Sequence, residues 1–371
     1  MSMEQGRLDW VQALRGIAAM LVVLCHALDY LSHSPSFPLI ERALLPGAMG
    51  VDLFFIISGF IMVYSTRKTT GTLDDVKNFA INRFSRIWPT YAVVSIIWIF
   101  IAYDGINYFI SYENWAVLFK SLTFIPVKEM APLYFEPVFP LGWTLNFEMY
   151  FYVVFAVSLL FKRYRLAAML IWIAFTVILI PMLTRTFSTN PFTYYSYELN
   201  YFNLMTNPII LEFVAGAAIG YLYLSRHVQI ASKSLALNFL ALSIALVVWF
   251  NYSGPASTHG ITNWGGPLSV MVLAFAICSK TVHIKSPKIL IWLGKISYSL
   301  YLTHYLTRAA MDHAVGYLGF SGHVHTWGYF AFSVSVSVSV AALSQYILEQ
   351  KLSNRLRDEL HKRMPFVRVA G

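Results

Sequence analysis

Long apolar runs separated by short polar breaks set the pattern of this chain. A helix crosses a bilayer with roughly 20 mostly apolar residues, and about ten stretches approach that length: 11–31, 47–66, 86–103, 141–161, 165–183, 203–224, 235–252, 264–282, 288–309 and 327–348. The pattern predicts an all-α polytopic membrane protein of about ten transmembrane helices, with both termini on one side. The longest break, about residues 104–140, holds the aromatic segment "WAVLFKSLTFIPV". It is too short to span and reads as an interfacial or re-entrant piece. A second aromatic loop, "NPFTYYSYELNYF", is either an interfacial belt or a surface on which a sugar ring stacks.

Composition agrees. Of 371 residues, 57% are hydrophobic and 12% charged, with a mean hydropathy of +0.58, which excludes an ordinary soluble globular chain. Of 27 Lys and Arg, 21 fall in the tails and in the loops after even-numbered stretches; Arg42, Lys120, Lys128 and Arg185 occupy the other loops. By the positive-inside rule both termini are cytoplasmic. The net charge of +9 is mostly this asymmetry, and the basic tail "KLSNRLRDELHKR" reads as a solvated cytoplasmic end near anionic lipid. Only Arg7 precedes the first run, which continues to spanning length, so the expectation is a retained helix and no cleaved signal peptide. The two cysteines, Cys25 and Cys278, fall in spans near opposite faces, and no disulfide is expected between them. With no linker or low-complexity segment, residues 1–371 read as a single membrane domain with short tails and no appended extracytoplasmic domain. No metal cluster, nucleotide fold or nucleic-acid motif is present, so neither a metal nor a nucleic-acid partner is expected.

Charged groups in hydrocarbon are costly and persist where they face a polar cavity or one another. Within the predicted spans these are Arg15, His26, Asp52, Glu148, Glu212, His304 and Arg308. The step from Arg15 to His26 returns to within about 20° of the same direction after a rise of about 16 Å. Counting the rise from the span ends brings His26, Asp52, Glu148 and His304 to one level. In "WTLNFEMYFY", Thr144, Glu148 and Tyr152 share a face and Trp143 lies near the outer mouth. In "ISYSLYLTHYLTR", Ser297, Tyr301, His304 and Arg308 form a polar stripe, which serves equally as hydrogen-bonding glue between helices. Arg83 and Arg86 of "NRFSRIWP" stand at the start of the third span, with Pro89 in its first turn. Two guanidiniums at a helix start either grip phosphate oxygens, helped by the helix N-terminus, or act as positive-inside anchors. Glu212 lies among small residues and reads as structural; for Asp52, helix pairing stands beside substrate contact.

These blocks run from "LDWVQALRGIAAMLVVLCHA" through "GAMGVDLFFIISGFIM", "FAINRFSRIWPTY", "LGWTLNFEMYFY" and "ILEFVAGAAIGYL" to "LGKISYSLYLTHY". Together they resemble the acyltransferase-3 family of bacterial membrane acyltransferases, and within it most the exopolysaccharide O-acetyltransferases. The resemblance implies that Arg15 and His26 are the family's Arg-(ten residues)-His pair. It makes Arg83 and Arg86 the family's arginine motif, Trp143 and Glu148 its Trp/Glu block, and His304 the His closing its Tyr-Ser-Leu-Tyr segment. It also implies acyl-CoA as donor, with acetyl-CoA foremost, a carbohydrate acceptor reached from the opposite side, and a bacterial inner membrane location. Some relatives append an esterase-like extracytoplasmic domain.

On that reading the CoA phosphates rest on Arg83, Arg86 and Arg15, and the pantetheine arm runs up a polar tunnel to His26. His26 acts as general base on an acceptor hydroxyl, or as nucleophile through an acyl-histidine, with Glu148 orienting its ring as the carboxylate of a Ser-His-Asp triad does. Trp143 is the candidate sugar-stacking surface; Asn146, Tyr301 and His304 are candidate oxyanion donors. The rival reading is a transporter or flippase for a sugar or lipid-linked sugar, because intramembrane His, Glu and Arg also build proton relays. That class favours an internal repeat with paired broken helices, and none is evident.

Overall fold

The computed structural model of the protein describes residues 8–103, 105–128, 134–254, 258–320, 322 and 324–364; Arg7 lies outside them. All regular structure among the described residues is helical. Each of the ten apolar stretches carries a helix: α1 (Asp9–His26), α2 (Gly50–Ser65), α3 (Leu73–Ala102), α4 (Trp143–Leu159), α5 (Arg165–Ile173), α6 (Ile210–Leu224), α7 (Lys233–Tyr252), α8 (Gly265–Cys278), α9 (Lys288–Tyr317) and α10 (Trp327–Ser344). A π-helical turn, Ala174–Leu179, carries α5 on into Ile180–Thr184. Among the described residues six helical segments are long and apolar enough to cross a membrane, and α6 and α8 are apolar but shorter. The aromatic segment in the longest break, residues 115–127, overlaps the helix Tyr112–Leu122, of 11 residues, too short to span.

Three departures from the hydropathy reading bear on the site residues and the helix breaks. The α-helix of the first stretch stops at His26, and a 3₁₀ turn, Leu28–Leu31, follows. The third stretch belongs to a 30-residue helix that begins at Leu73. Thr72 caps it: its hydroxyl accepts from the Asp75 N–H at 3.2 Å, while the Asp75 carboxylate accepts from the N–H groups of Thr70, Gly71 and Thr72, a reciprocal box that satisfies otherwise orphaned donors. Arg83, Arg86 and Pro89 therefore lie inside α3, and the expected help from a helix N-terminus is withdrawn, because helix-interior N–H groups are already spent on the preceding turn. The sixth stretch is broken between a short helix, Asn200–Met205, and α6. Pro208 lacks a donor and disfavours helical Asn207, whose side chain instead accepts from the Ile209 N–H at 3.0 Å.

The chain forms two compact units, Met1–Arg67 with Leu211–Ala341, and Lys68–Ile210 with Ala342–Gly371. In the first, α1 and α9 run side by side in the same direction, and α2 packs on α1 and α8. Because lipid tails are as apolar as Leu, no hydrophobic force draws such helices together; close backbone approach at small residues does. A Cβ on Gly294 of α9 would stand 2.0 Å from the Gln12 carbonyl oxygen of α1, and one on Gly16 2.5 Å from that of Leu290. Gly59 of α2 and Gly216 of α6 meet the opposing backbone in the same way. Trp10, Leu14, Ile56, Phe60, Leu268 and Val272 fill the core around α1, α2 and α8. In the second unit α3 packs against α4 through rings such as Phe79 and Phe155, and the helical segments Gln345–Ser353 and Asn354–Arg363 lie on α3. Exposed Leu235, Leu242, Val248 and Trp249 leave α7 apolar on its outer face, as hydrocarbon contact requires.

Candidate functional site

The predicted site residues fall into both units. Arg15, His26, Asp52, Tyr301 and His304 belong to the first; Arg83, Arg86, Trp143, Asn146 and Glu148 belong to the second.

In the first unit His26 is the last residue of α1, so its carbonyl is one of the four a helix end leaves unpaired. Arg308 of α9 donates to that carbonyl through one guanidinium nitrogen and to Asp29 through the other. One turn before Arg308 on α9, His304 is 2% exposed, and its Nε2 lies 2.9 Å from His26 Nδ1. The second ring nitrogen of His304, Nδ1, lies 2.9 Å from the Leu300 carbonyl. Tyr305 packs edge-on against His26 at 5.6 Å between ring centres. The expected stripe on α9 is buried throughout its first three members, Ser297, Tyr301 and His304. A cavity of about 10 Å³ beside the two imidazoles is lined by Arg308 and by Ser333 and Ser337 of α10, among others. Sequence reasoning passed over these serines, although their i, i+4 spacing in "FSVSVSVSV" puts them on one face.

Beyond the imidazoles, Tyr30 donates to Asp312 at 2.7 Å. Arg15 lies half-buried near the start of α1.

Asp52 belongs to another cluster of the same unit. It is fully buried, accepting from His259 Nδ1 at 2.7 Å and from the Gly260 N–H at 3.0 Å. Both oxygens thus pin the loop ahead of α8 to α2. His259 was missed in the sequence; the usable signal was a buried carboxylate in need of a partner and a histidine just ahead of an apolar run. Glu212 is fully buried and packs against Gly265, where a Cβ would stand 2.5 Å from its Oε1.

In the second unit Tyr152 donates its hydroxyl to Glu148 Oε1 one turn earlier on α4, so the predicted shared face holds. The Arg83 guanidinium of α3 lies 5.5 Å from the ring centres of both Phe79 and Tyr152. Arg83, Tyr152 and Glu148 therefore form a chain from cation to carboxylate. Arg86 follows Arg83 by three residues on α3 and is half-buried. Asn146 is 1% exposed, and neither of its amide atoms has a hydrogen-bond partner among the described residues. Trp143 is buried and meets Tyr134 edge-on at 5.1 Å. No group of three or more His, Cys, Asp or Glu suited to a metal occurs among the described residues.

Helices long and apolar enough to cross a membrane define the class, a membrane protein, with an imidazole pair in one unit and a cation–phenol–carboxylate chain in the other. The chain belongs to the acyltransferase-3 family: the family profile, described as an acyltransferase domain, matches residues 8–346. The exopolysaccharide production protein ExoZ of Rhizobium meliloti (strain 1021) is 32% identical over 263 residues, 70% of this chain and 75% of that protein. A Staphylococcus aureus (strain COL) protein with an O-acetyltransferase designation is 24% identical over 380 residues, 91% of this chain and 56% of its own length. The peptidoglycan O-acetyltransferase OatA of Listeria monocytogenes serovar 1/2a is 24% identical over 291 residues, 70% of this chain and 44% of that protein. The chain thus spans about half the length of the last two. No solved structure matches it.

Proposed function

We propose that this acyltransferase moves an acyl group, acetyl foremost, from cytoplasmic acyl-CoA to a hydroxyl of an extracytoplasmic or lipid-linked carbohydrate such as an exopolysaccharide unit. It does so in a bacterial inner membrane, through about ten spans around a polar tunnel, with both termini cytoplasmic. The observation that carries the reading is that Arg15 and His26 lie on one unbroken helix of a chain that matches the family over residues 8–346. Their separation of about 16 Å is comparable to the reach of a pantetheine arm.

Arg83, Arg86 and Arg15 hold the CoA phosphates by charge and paired N–H donors. His26 takes the proton of the acceptor hydroxyl while the oxygen bonds to the acyl carbon; the C–S bond then breaks, and the proton passes to the CoA thiolate. Glu148 is the acidic catalytic group, kept in place by Tyr152. Trp143 is the stacking surface for the acceptor sugar, and the donor to the transition-state oxygen is Tyr301 or Asn146, whose amide atoms have no hydrogen-bond partner among the described residues. Asp52 has both oxygens engaged and is assigned to structure.

The test is CoA release from acetyl-CoA by purified protein in nanodiscs, with an exopolysaccharide oligosaccharide as acceptor. Acceptor-dependent release that His26→Ala abolishes, and that Arg83→Ala weakens mainly through KM for acetyl-CoA, is the expected result. Unchanged turnover in His26→Ala removes His26 as base, and a protein that binds no acetyl-CoA is a carrier instead.

A further inference from the structure

We infer that His304 is a positioning residue that sets the tautomer of His26, doing with a neutral imidazole what a carboxylate does in a Ser-His-Asp triad. This deepens the reading of His26 as the base, and its activity arm rests on that reading.

The argument starts at a group with only one option. The Leu300 carbonyl accepts and cannot donate, so His304 Nδ1, 2.9 Å away, carries a proton. A neutral imidazole protonated at Nδ1 has its lone pair at Nε2. That Nε2 lies 2.9 Å from His26 Nδ1, so His26 Nδ1 is the donor. The lone pair of His26 is thereby at Nε2, the nitrogen that does not face His304. With both rings neutral, the opposite tautomer of His26 would set two lone pairs against each other at hydrogen-bonding distance.

The backbone frame makes this choice stable. Leu300, His304 and Arg308 are successive turns of one face of α9, and Arg308 also holds the His26 carbonyl. The ring and the main chain of His26 are thus both referenced to the same helix. When Nε2 takes a proton, the Nδ1–H to His304 bond becomes charge-assisted and strengthens, which favours the state in which the acceptor oxygen attacks. In the covalent variant the same Nε2 lone pair attacks the thioester. His304 itself has no N–H left to offer an oxyanion, so it leaves the set of candidate donors.

Two measurements on the full-length protein in nanodiscs test this. In ¹⁵N-histidine-labelled protein, with the His26 signals assigned by their loss in His26→Ala, wild type is expected to show Nδ1 protonated and Nε2 bare. His304→Ala is expected to shift His26 toward the Nε2–H form and to lower kcat for oligosaccharide-dependent CoA release by on the order of 10²-fold, leaving KM for acetyl-CoA unchanged. His304→Gln, whose amide oxygen can accept from His26 Nδ1–H, is expected to restore at least part of kcat and the wild-type tautomer. Nε2–H at His26 in wild type overturns the inference without any variant, and so does a kcat in His304→Ala equal to wild type. If His26→Ala retains full turnover, the reading of His26 fails, and the ¹⁵N spectra still decide whether His304 sets its tautomer.

Discussion

Replacing Gly294 by Ala tests whether the contact between α1 and α9 positions the imidazole pair. The new Cβ would stand 2.0 Å from the Gln12 carbonyl oxygen and 2.6 Å from its carbon, where ordinary contact begins at 3.4 Å. The obstacle is helix backbone, so no side chain can swing away, and the axes must part locally by about 1.4 Å. Forced overpacking of this kind costs about 1–3 kcal/mol. The clash lies ten residues, or about 15 Å, from His304 on the same helix, so the strain reaches the His26 bond as a tilt. A His26–His304 distance of 2.9 Å that lengthens by 1 Å is no longer a hydrogen bond. Gly316→Ala is the control, since it lies on the same helix with none of the described residues within 4 Å of its Cβ, and there Ala is expected to be neutral or to stabilise by up to about 1 kcal/mol. Unfolding midpoints in detergent and acceptor-dependent CoA release, measured on both variants, should separate them: Gly294→Ala loses thermal stability and turnover together, and Gly316→Ala loses neither. A Gly294→Ala protein that melts and turns over like wild type would refute the claim that this approach sets the site.

Tyr152→Phe keeps a ring beneath Arg83 and removes the donor to Glu148; a hydrogen bond to a charged group contributes about 1.5–3 kcal/mol, so turnover is expected to fall roughly tenfold or more with little change in KM for acetyl-CoA. Unaltered turnover would detach Glu148 from the chemistry. Asn146→Ala removes no side-chain hydrogen bond among the described residues, so its unfolding midpoint should hold while kcat drops by on the order of 10²-fold, as for a lost oxyanion donor; a lower midpoint with intact kcat would assign Asn146 to packing.

The helices were legible because apolar runs of spanning length have few alternatives in a membrane. The level at which polar groups lie was legible too, for His26 and His304, because rise per residue and span ends suffice for it, and the two rings do meet. Azimuth was not: which neighbour a ring finds depends on how helices pack, and in this chain that is decided by glycines such as Gly16 and Gly294, whose spacing carries no label for its partner. Hence the sequence reading gave the orienting role beside His26 to Glu148 and left His304 among the oxyanion donors, whereas the ring that lies 2.9 Å from His26 Nδ1 is His304, brought there by the backbone contact of α1 with α9. His259 escaped because it lies in a loop, where periodicity is silent, and is found only by asking what neutralises a fully buried Asp52. The arginine pair shows a different limit. Hydropathy marks where an apolar run starts, whereas a helix starts where a cap satisfies its first N–H groups, here at Thr72. The consequence is mechanical: Arg83 and Arg86 project from the interior of a capped rod, with Tyr152 and Phe79 flanking Arg83, so under the proposed function less conformational freedom would be lost on gripping a phosphate than from a loop.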